Sequence, residues 1–159
     1  MFACIYGQQV PAEVSLAEFA YTFSPLVEEI ARDTVVIDVE GCALRFGSTY
    51  ELANEIAKQA TVAKEAGGLG CKVNVALAGN PDAAIHAAKF CPGVTFTAPG
   101  EELTGLGRLP LKALQCSLAG VEESQAAEIL ETLNLWGVRT FAEFAALPQA
   151  GVSERLGQD

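Results

Sequence analysis

The sequence predicts an α+β fold in which an antiparallel sheet of βαββαβ order is followed by a small helical module. The strongest observation is the stretch Thr34–Val39, where Val35, Ile37 and Val39 occupy alternate positions. A period of two with β-branched residues is typical of a strand with two different faces. Two helix patterns with apolar stripes accompany this strand along the chain, and a segment rich in Pro and Gly separates them from further helices.

Strands and helices alternate in the first predicted domain, residues 1–104. In chain order the sequence predicts a strand at Phe2–Tyr6, a helix at Glu13–Tyr21, strands at Val27–Ile30 and Thr34–Val39, a helix at Ser48–Ala66, a strand at Cys71–Leu77, a helix at Asn80–Phe90 and a short edge strand at Val94–Thr97. Ser48 and Glu51 have capping-box spacing, and Asn80 before Pro81 is a favourable helix start. We expect the strands to share one sheet, with the last two helices on the same face.

The second predicted domain, residues 105–159, is helical. We predict a linker at Glu101–Gly107, and a short helical turn at Lys112–Leu114 after the sequence LPL. A helix follows at Glu122–Leu133, and a tight turn at Gly137 joins it to another. Thr140 and Glu143 have capping-box spacing at the start of that last helix.

The charge and composition restrict the function. The net charge is −10, whereas free-standing proteins that bind duplex DNA are usually basic. The five cysteines are scattered and never spaced CxxC, so we expect reduced, buried thiols and no zinc site. Apolar runs are far shorter than the roughly 20 residues that span a bilayer, and no secretory signal is visible, so we expect a cytoplasmic location.

The stretch SPLVEEIARDTVVIDVEG resembles the palm signature of Y-family (lesion-bypass) DNA polymerases, SPxVExxSIDEAxLDVTG. The matching positions are Ser24, Pro25, Val27, Glu28, Asp33, Asp38 and Gly41. The continuation GCALRFG is similar to TGCxxLFG, which is found in the catalytically defective branch of bacterial mutagenesis operons. The resemblance implies a ferredoxin-like palm and then a thumb-like helical module, with the fingers and little-finger domains missing.

The resemblance also implies that the catalytic site is lost. The Asp-Glu pair of active members falls on Asp33 and Thr34, and the first catalytic Asp falls near Tyr6. The segment NVALAGNPDAAIHAAK resembles SxGIAxNKxLAKxAS, but Pro81 and Ile85 replace two lysines that help to hold the incoming triphosphate. We therefore expect no catalytic residues beyond the vestigial Asp33, no metal site and no cofactor.

The pattern LxxWGVRT in the second domain looks like a helix-hairpin-helix. In such a hairpin the glycine lets backbone N–H groups approach a DNA phosphate. The candidate phosphate contacts are Trp136, Gly137, Val138, Arg139 and Thr140. The same pattern also occurs in purely structural turns, and the sequence leaves both interpretations open.

The leading hypothesis is a non-catalytic protein of DNA repair and translesion synthesis, a scaffold or adaptor with weak contact to the DNA backbone and with other lesion-bypass proteins as partners. A residual nucleotidyltransferase dependent on Mg²⁺ is an alternative, and it requires Asp38, Glu28 or Glu40 to lie near Asp33. A further alternative is a ferredoxin-like interaction module that never meets DNA. The sequence does not determine the oligomeric state.

Overall fold

A computed structural model describes residues 1–63, 66–116 and 122–156. The chain divides into two compact units, Met1–Glu102 and Leu103–Asp159. The fold is mixed α/β, with a sheet in the first unit and helices in the second.

The first unit is built on a five-stranded, mostly antiparallel sheet. Its strands are β1 (Phe2–Gly7), β2 (Val27–Ala31), β3 (Thr34–Asp38), β4 (Val73–Ala78) and β5 (Val94–Phe96). They lie in the order β2-β3-β1-β4-β5, with β5 parallel to β4 and the other pairs antiparallel. The antiparallel pairing predicted for the first four strands is confirmed, and each begins and ends within two residues of its predicted limits.

Helices cover both faces of this sheet. On one face α1 (Leu16–Ala20) and α3 (Thr49–Ala60) enclose a core with the alternate residues of the central strands. That core contains Ile5, Val35 and Ile37, which are fully buried. The short helix α2 (Ala43–Phe46) precedes α3.

The helix α4 (Pro81–Phe90) lies on the opposite face, so the expectation that it shares a face with α3 was wrong. The Asn74 side-chain amide donates to the Ala88 carbonyl at 2.9 Å, and Asn74 pairs with Tyr6, whose side chain belongs to that opposite face. Residues 83–88 of α4 are all buried. An alanine-rich helix has no single apolar stripe, so its pattern does not indicate one face of the sheet.

Two further predictions were wrong. Helix α3 ends at Ala60 rather than Ala66, because the chain turns back and the amides of Leu69 and Cys71 both donate to the Ala60 carbonyl. The predicted linker at Glu101–Gly107 contains the helix α5 (Glu102–Leu106), which buries Leu106. The other predicted elements are present, although α1 begins three residues later than predicted.

The second unit consists of short helices. A 3-10 helix (Leu111–Cys116) precedes α6 (Glu123–Leu135), α7 (Phe141–Ala145) and α8 (Gln149–Leu156). Leu111, Leu130, Leu133 and Val138 form its buried cluster, and Trp136 and Phe144 pack against them. Within the described ranges, no helix is both long enough and apolar enough to cross a membrane.

The described cysteines and the histidine have structural positions. Cys42, Cys71 and Cys91 are free thiols and Cys4 is buried in the sheet. Burial raises the pKa of the Cys71 and Cys91 thiols, so both are neutral at pH 7. His86 is buried in α4, with Nδ1 2.7 Å from the Asp82 carbonyl oxygen. The prediction of buried thiols holds for Cys4, whereas Cys42, Cys71 and Cys91 are half-buried.

Candidate functional site

The positions at which the sequence resemblance places the catalytic carboxylates meet at one end of the sheet. Tyr6 on β1 lies directly opposite Thr34 on β3. The Gly7 amide donates to the Asp33 carbonyl at 2.9 Å, which places Asp33 beside them. The Thr34 hydroxyl is buried and donates to Asp33 Oδ1 at 2.7 Å. The structure therefore brings together Tyr6, Asp33 and Thr34, three residues that were predicted separately from two distant motifs.

A cation lies at this end of the sheet. Lys89, in the last turn of α4, has its ammonium nitrogen 5.9 Å from the centroid of the Tyr6 ring. This distance is within the range of a cation–π interaction. An ammonium group over the ring repels a divalent cation, so the surroundings of Tyr6 disfavour a metal ion.

The residues at this site do not fit the metal ions of a polymerase. Two ions that support in-line phosphoryl transfer need carboxylates that bind both of them, and magnesium prefers oxygen donors in octahedral geometry. Tyr6, Thr34 and Asp33 supply one carboxylate between them. Elsewhere in the part of the chain that the structure describes, no group of three His, Cys, Asp or Glu side chains could hold a metal ion.

The carboxylates that the nucleotidyltransferase alternative requires lie elsewhere. Asp38 pairs with Phe2, about 14 Å along β3 from Thr34 at 3.4 Å per residue. Its Oδ1 accepts the amide of Glu40 at 2.9 Å. Glu28 is exposed on β2, opposite Val36. No described contact joins any of these three side chains to Asp33.

Pro81 occupies the other end of the sheet. It is the first residue of α4, shortly after β4, and the end of β4 pairs with Phe2 rather than with Tyr6. The Asn80 side chain accepts the Ala83 amide at 2.8 Å and so caps α4. The structure does not bring Pro81 together with Tyr6 and Thr34.

The predicted hairpin turn lies between α6 and α7. Gly137 has φ +83°, a conformation that L side chains rarely adopt, and nothing lies within 4 Å of a Cβ built there. Val138 is buried in the cluster of the second unit, whereas Arg139 is exposed. Trp136 is half-buried against the same cluster. The turn thus has an apolar anchor at Val138 and an exposed cation at Arg139.

The backbone N–H groups of this turn already have acceptors within the protein. The amides of Trp136, Gly137 and Val138 donate to carbonyls of α6. Those of Arg139 and Thr140 both donate to Glu143 Oε2, at 2.7 Å and 3.0 Å. A phosphate that used these last two donors would have to displace the Glu143 carboxylate, which was predicted only as the partner of Thr140 in the capping box.

These contacts perturb the titration of Glu143. The Arg139 amide, supported by the amide and hydroxyl of Thr140, holds the pKa of this exposed carboxyl below its ordinary value of 4.5. A carboxyl with a lower pKa in the folded state stabilises the fold above its unfolded-state pKa. That contribution is lost as the pH falls through the lowered value, so the hairpin cap is fully formed at neutral pH.

The comparisons with known proteins agree with the sequence resemblance. No family model matches the chain. DNA polymerase IV 2 of Mesorhizobium japonicum is 28% identical over 137 residues, which cover 85% of this chain and 30% of that protein. Protein ImuB of Caulobacter vibrioides is 25% identical over 143 residues, which cover 90% of this chain and 28% of that protein.

The similarity extends over most of this chain but reaches less than a third of each relative's length. The chain is thus a relative of DNA polymerase IV and ImuB proteins, and its resemblance to Y-family polymerase-like proteins is confirmed.

Proposed function

We propose that this chain is a non-catalytic Y-family polymerase-like protein of DNA damage tolerance, and that it acts as a scaffold or adaptor in translesion synthesis. The observation that carries the proposal is the meeting of Tyr6, Thr34 and Asp33 at one end of the sheet with a single carboxylate between them. Similarity to DNA polymerase IV 2 and ImuB over 85–90% of the chain supports a role in DNA damage tolerance.

The sheet topology supports a ferredoxin-like palm. The strand order β2-β3-β1-β4 is the one that a βαββαβ chain forms when each connection joins neighbouring or next-neighbouring strands. In this interpretation the first unit is a palm without fingers, and the second unit is a thumb-like module whose hairpin contains Gly137. Absence of a complete set of metal ligands then makes the palm a rigid support rather than a catalyst.

Primer extension tests the loss of catalysis. With the whole chain, a primed template, all four deoxynucleotides and Mg²⁺ or Mn²⁺, we expect no product above that of a reaction without protein. The physical reason is that one carboxylate cannot hold two metal ions. An active polymerase added to the same mixture serves as the positive control. Template-dependent extension that disappears in Asp33→Ala would show that the chain is an enzyme and favour the nucleotidyltransferase alternative with Mg²⁺.

Contact with the DNA backbone is the second part of the proposal, and the exposed Arg139 beside the turn favours it. Such contact is independent of base sequence because phosphates carry no base identity. It is also weak, because Glu143 competes for two of the amides and the chain as a whole is acidic. The salt dependence is shallow, since one or two phosphates are neutralised.

An NMR titration with a short duplex at low salt tests this contact. We expect shifts at Gly137, Arg139 and Thr140, and an affinity that Glu143→Gln raises about two- to fivefold, the size of an exposed charge interaction. Arg139→Ala should lower the affinity by a similar factor without unfolding the chain, because its side chain is outside the buried cluster.

Glu128→Gln is the matched control for Glu143→Gln, because it removes one exposed negative charge from α6 without touching the hairpin. An equal gain in both variants would indicate a general charge effect. No shifts around Gly137 at millimolar DNA, in either the original chain or Glu143→Gln, would leave the hairpin a structural turn and favour the interaction module without DNA binding.

A further inference from the structure

The strand β2 forms an open edge of the sheet in the first unit. Among the described strands it pairs only with β3, and four of its five residues are exposed. An edge strand presents a row of backbone N–H and C=O groups with which a further strand can pair. Extended peptides that bind by adding a strand to a sheet gain much of their affinity from such groups.

The ladder between β2 and β3 determines which backbone groups of β2 face outward. The Asp38 amide donates to the Leu26 carbonyl at 3.0 Å, so these two residues form a hydrogen-bonded pair. Such pairs alternate with non-hydrogen-bonded pairs along an antiparallel ladder. The register is regular from Val27 to Glu29, so Glu28 belongs to the next hydrogen-bonded pair. The N–H and C=O groups of Val27 and Glu29 therefore point away from β3, toward the open edge.

The exposed side chains of this edge indicate the chemistry of a partner. Glu28 and Glu29 are both exposed, and neither carboxylate has an ion pair or a hydrogen bond within the described ranges. Arg32, the nearest cation along the chain, donates to the Pro11 carbonyl at 2.9 Å instead. Leu26, just before the strand, is 63% exposed. The edge thus offers two carboxylates on opposite faces of the strand and one apolar side chain.

We propose that β2 binds an extended, basic segment of a partner protein, which adds a strand antiparallel to it. The backbone of this segment exchanges hydrogen bonds with Val27 and Glu29. Two consecutive cationic residues lie opposite Glu28 and Glu29, one on each face of the sheet, and an apolar residue lies opposite Leu26. The net charge of −10 also attracts a basic segment before contact is made.

A basic strand fits this edge better than a second copy of the chain or a nucleic acid. Two β2 edges paired antiparallel around Glu28 would place its carboxylate opposite that of the other copy, and like charges directly opposite each other destabilise strand pairing. A row of phosphates would meet the same repulsion. Charged side chains on edge strands commonly prevent edge-to-edge association, and a cationic partner turns that repulsion into attraction.

The inference rests on the proposed adaptor function and names the chemistry of one partner. Val27, Glu28 and Glu29 belong neither to the pair of Tyr6 and Thr34 nor to the hairpin. Primer extension and DNA titration therefore test the proposed function separately, and a failure of peptide binding leaves their outcomes unchanged.

The probe is an acetylated and amidated eight-residue peptide in which Lys-Arg-Val-Leu is flanked by threonines. In an NMR titration of the whole chain, we expect shifts in β2 and slower hydrogen exchange of the Val27 and Glu29 amides. Glu28→Gln and Glu29→Gln should each weaken the affinity about two- to fivefold, the size of a cross-strand charge pair. Glu101→Gln is the matched control and should leave the affinity unchanged, because this exposed carboxylate follows β5, the opposite edge.

N-methylated peptides separate strand pairing from charge attraction alone. A methyl group on the Lys amide, which donates to the Glu29 carbonyl in the proposed pairing, should weaken the affinity about tenfold, the size of one net hydrogen bond. A methyl group on the Arg amide is the control, because that N–H points to solvent, and the affinity should stay within about twofold.

Equal affinities of the two methylated peptides would overturn the proposal, and so would an equal loss of affinity in Glu101→Gln. No shifts in β2 at millimolar peptide would also overturn it. Protection of the Val27 and Glu29 amides that rises with protein concentration in the absence of peptide would assign the edge to a second copy of the chain instead.

Discussion

Replacing Leu133 with alanine is expected to lower the free energy of unfolding of the second unit by about 2–5 kcal/mol. Leu133 is fully buried, and its neighbours in the cluster include Leu111, Leu130 and Val138. Removal of its side chain leaves a cavity at the centre of this cluster. A loss of this size is a large part of the stability of a small domain.

Fluorescence measures this effect directly, because Trp136 is the single tryptophan of the chain and packs against the same cluster. Urea unfolding followed by Trp136 emission should show a lower midpoint with an unchanged slope. Leu135→Ala is the control: Leu135 lies two residues away in α6 but is 82% exposed, so we expect a change within about 0.5 kcal/mol. Equal midpoints for the two variants would contradict the packing described for this helix.

Replacing Gly68 with alanine is expected to destabilise the first unit by about 1–3 kcal/mol. Gly68 is buried where the chain turns back over the end of α3, and a Cβ there would collide with the backbone carbonyl oxygens of Val62 and Gln59. The Gly68 amide donates to the Ala63 carbonyl at 3.2 Å, so the turn cannot move away without losing that bond. Hydrogen exchange of the β1 and β4 amides measures the loss.

Gly151→Ala also adds one methyl group, but we expect it to raise the stability of the protein, whereas Gly68→Ala lowers it. Gly151 lies inside α8 with no atom within 4 Å of a built Cβ. Alanine should therefore stabilise the second unit by about 0.5–1 kcal/mol, since it restricts the unfolded chain and favours helix. Destabilisation by Gly151→Ala, or no effect of Gly68→Ala, would contradict the surroundings described for these two glycines.

The strands were predictable because their signal is local. The alternation around Val35 predicted the limits of β3 to within one residue, because successive side chains of a strand point to opposite faces of the sheet. The end of α3 was not predictable in this way. Val62, Ala63 and Ala66 continue a helix-compatible composition, but hydrogen bonds from residues beyond Gly67 turn the chain at Thr61. Such bonds depend on where the following strand lies, and no window of the sequence contains that information.

At the candidate site, too, some features were predictable from the sequence and others were not. The family resemblance placed Tyr6, Asp33 and Thr34 at positions of catalytic acids but gave no register for the strands, and the capping box of Thr140 and Glu143 followed from spacing. The position of Lys89 over Tyr6 was missed, because it depends on α4 packing against the opposite face of the sheet. The bond from the Arg139 amide to Glu143 was also missed, because a capping box by itself engages only the cap residue.

The central position of β1 has a consequence for how the sheet assembles. Ile5 on this strand pairs with Val35 on one side and with Val75 on the other. During synthesis, β1 can pair with β3 only after residues 34–38 have been made, and with β4 only after residues 73–78 have been made. Partners so distant along the chain slow folding, because loops must close before these contacts form. Until then its apolar residues are exposed to other chains, so the yield of folded protein should depend on concentration and on the rate of translation.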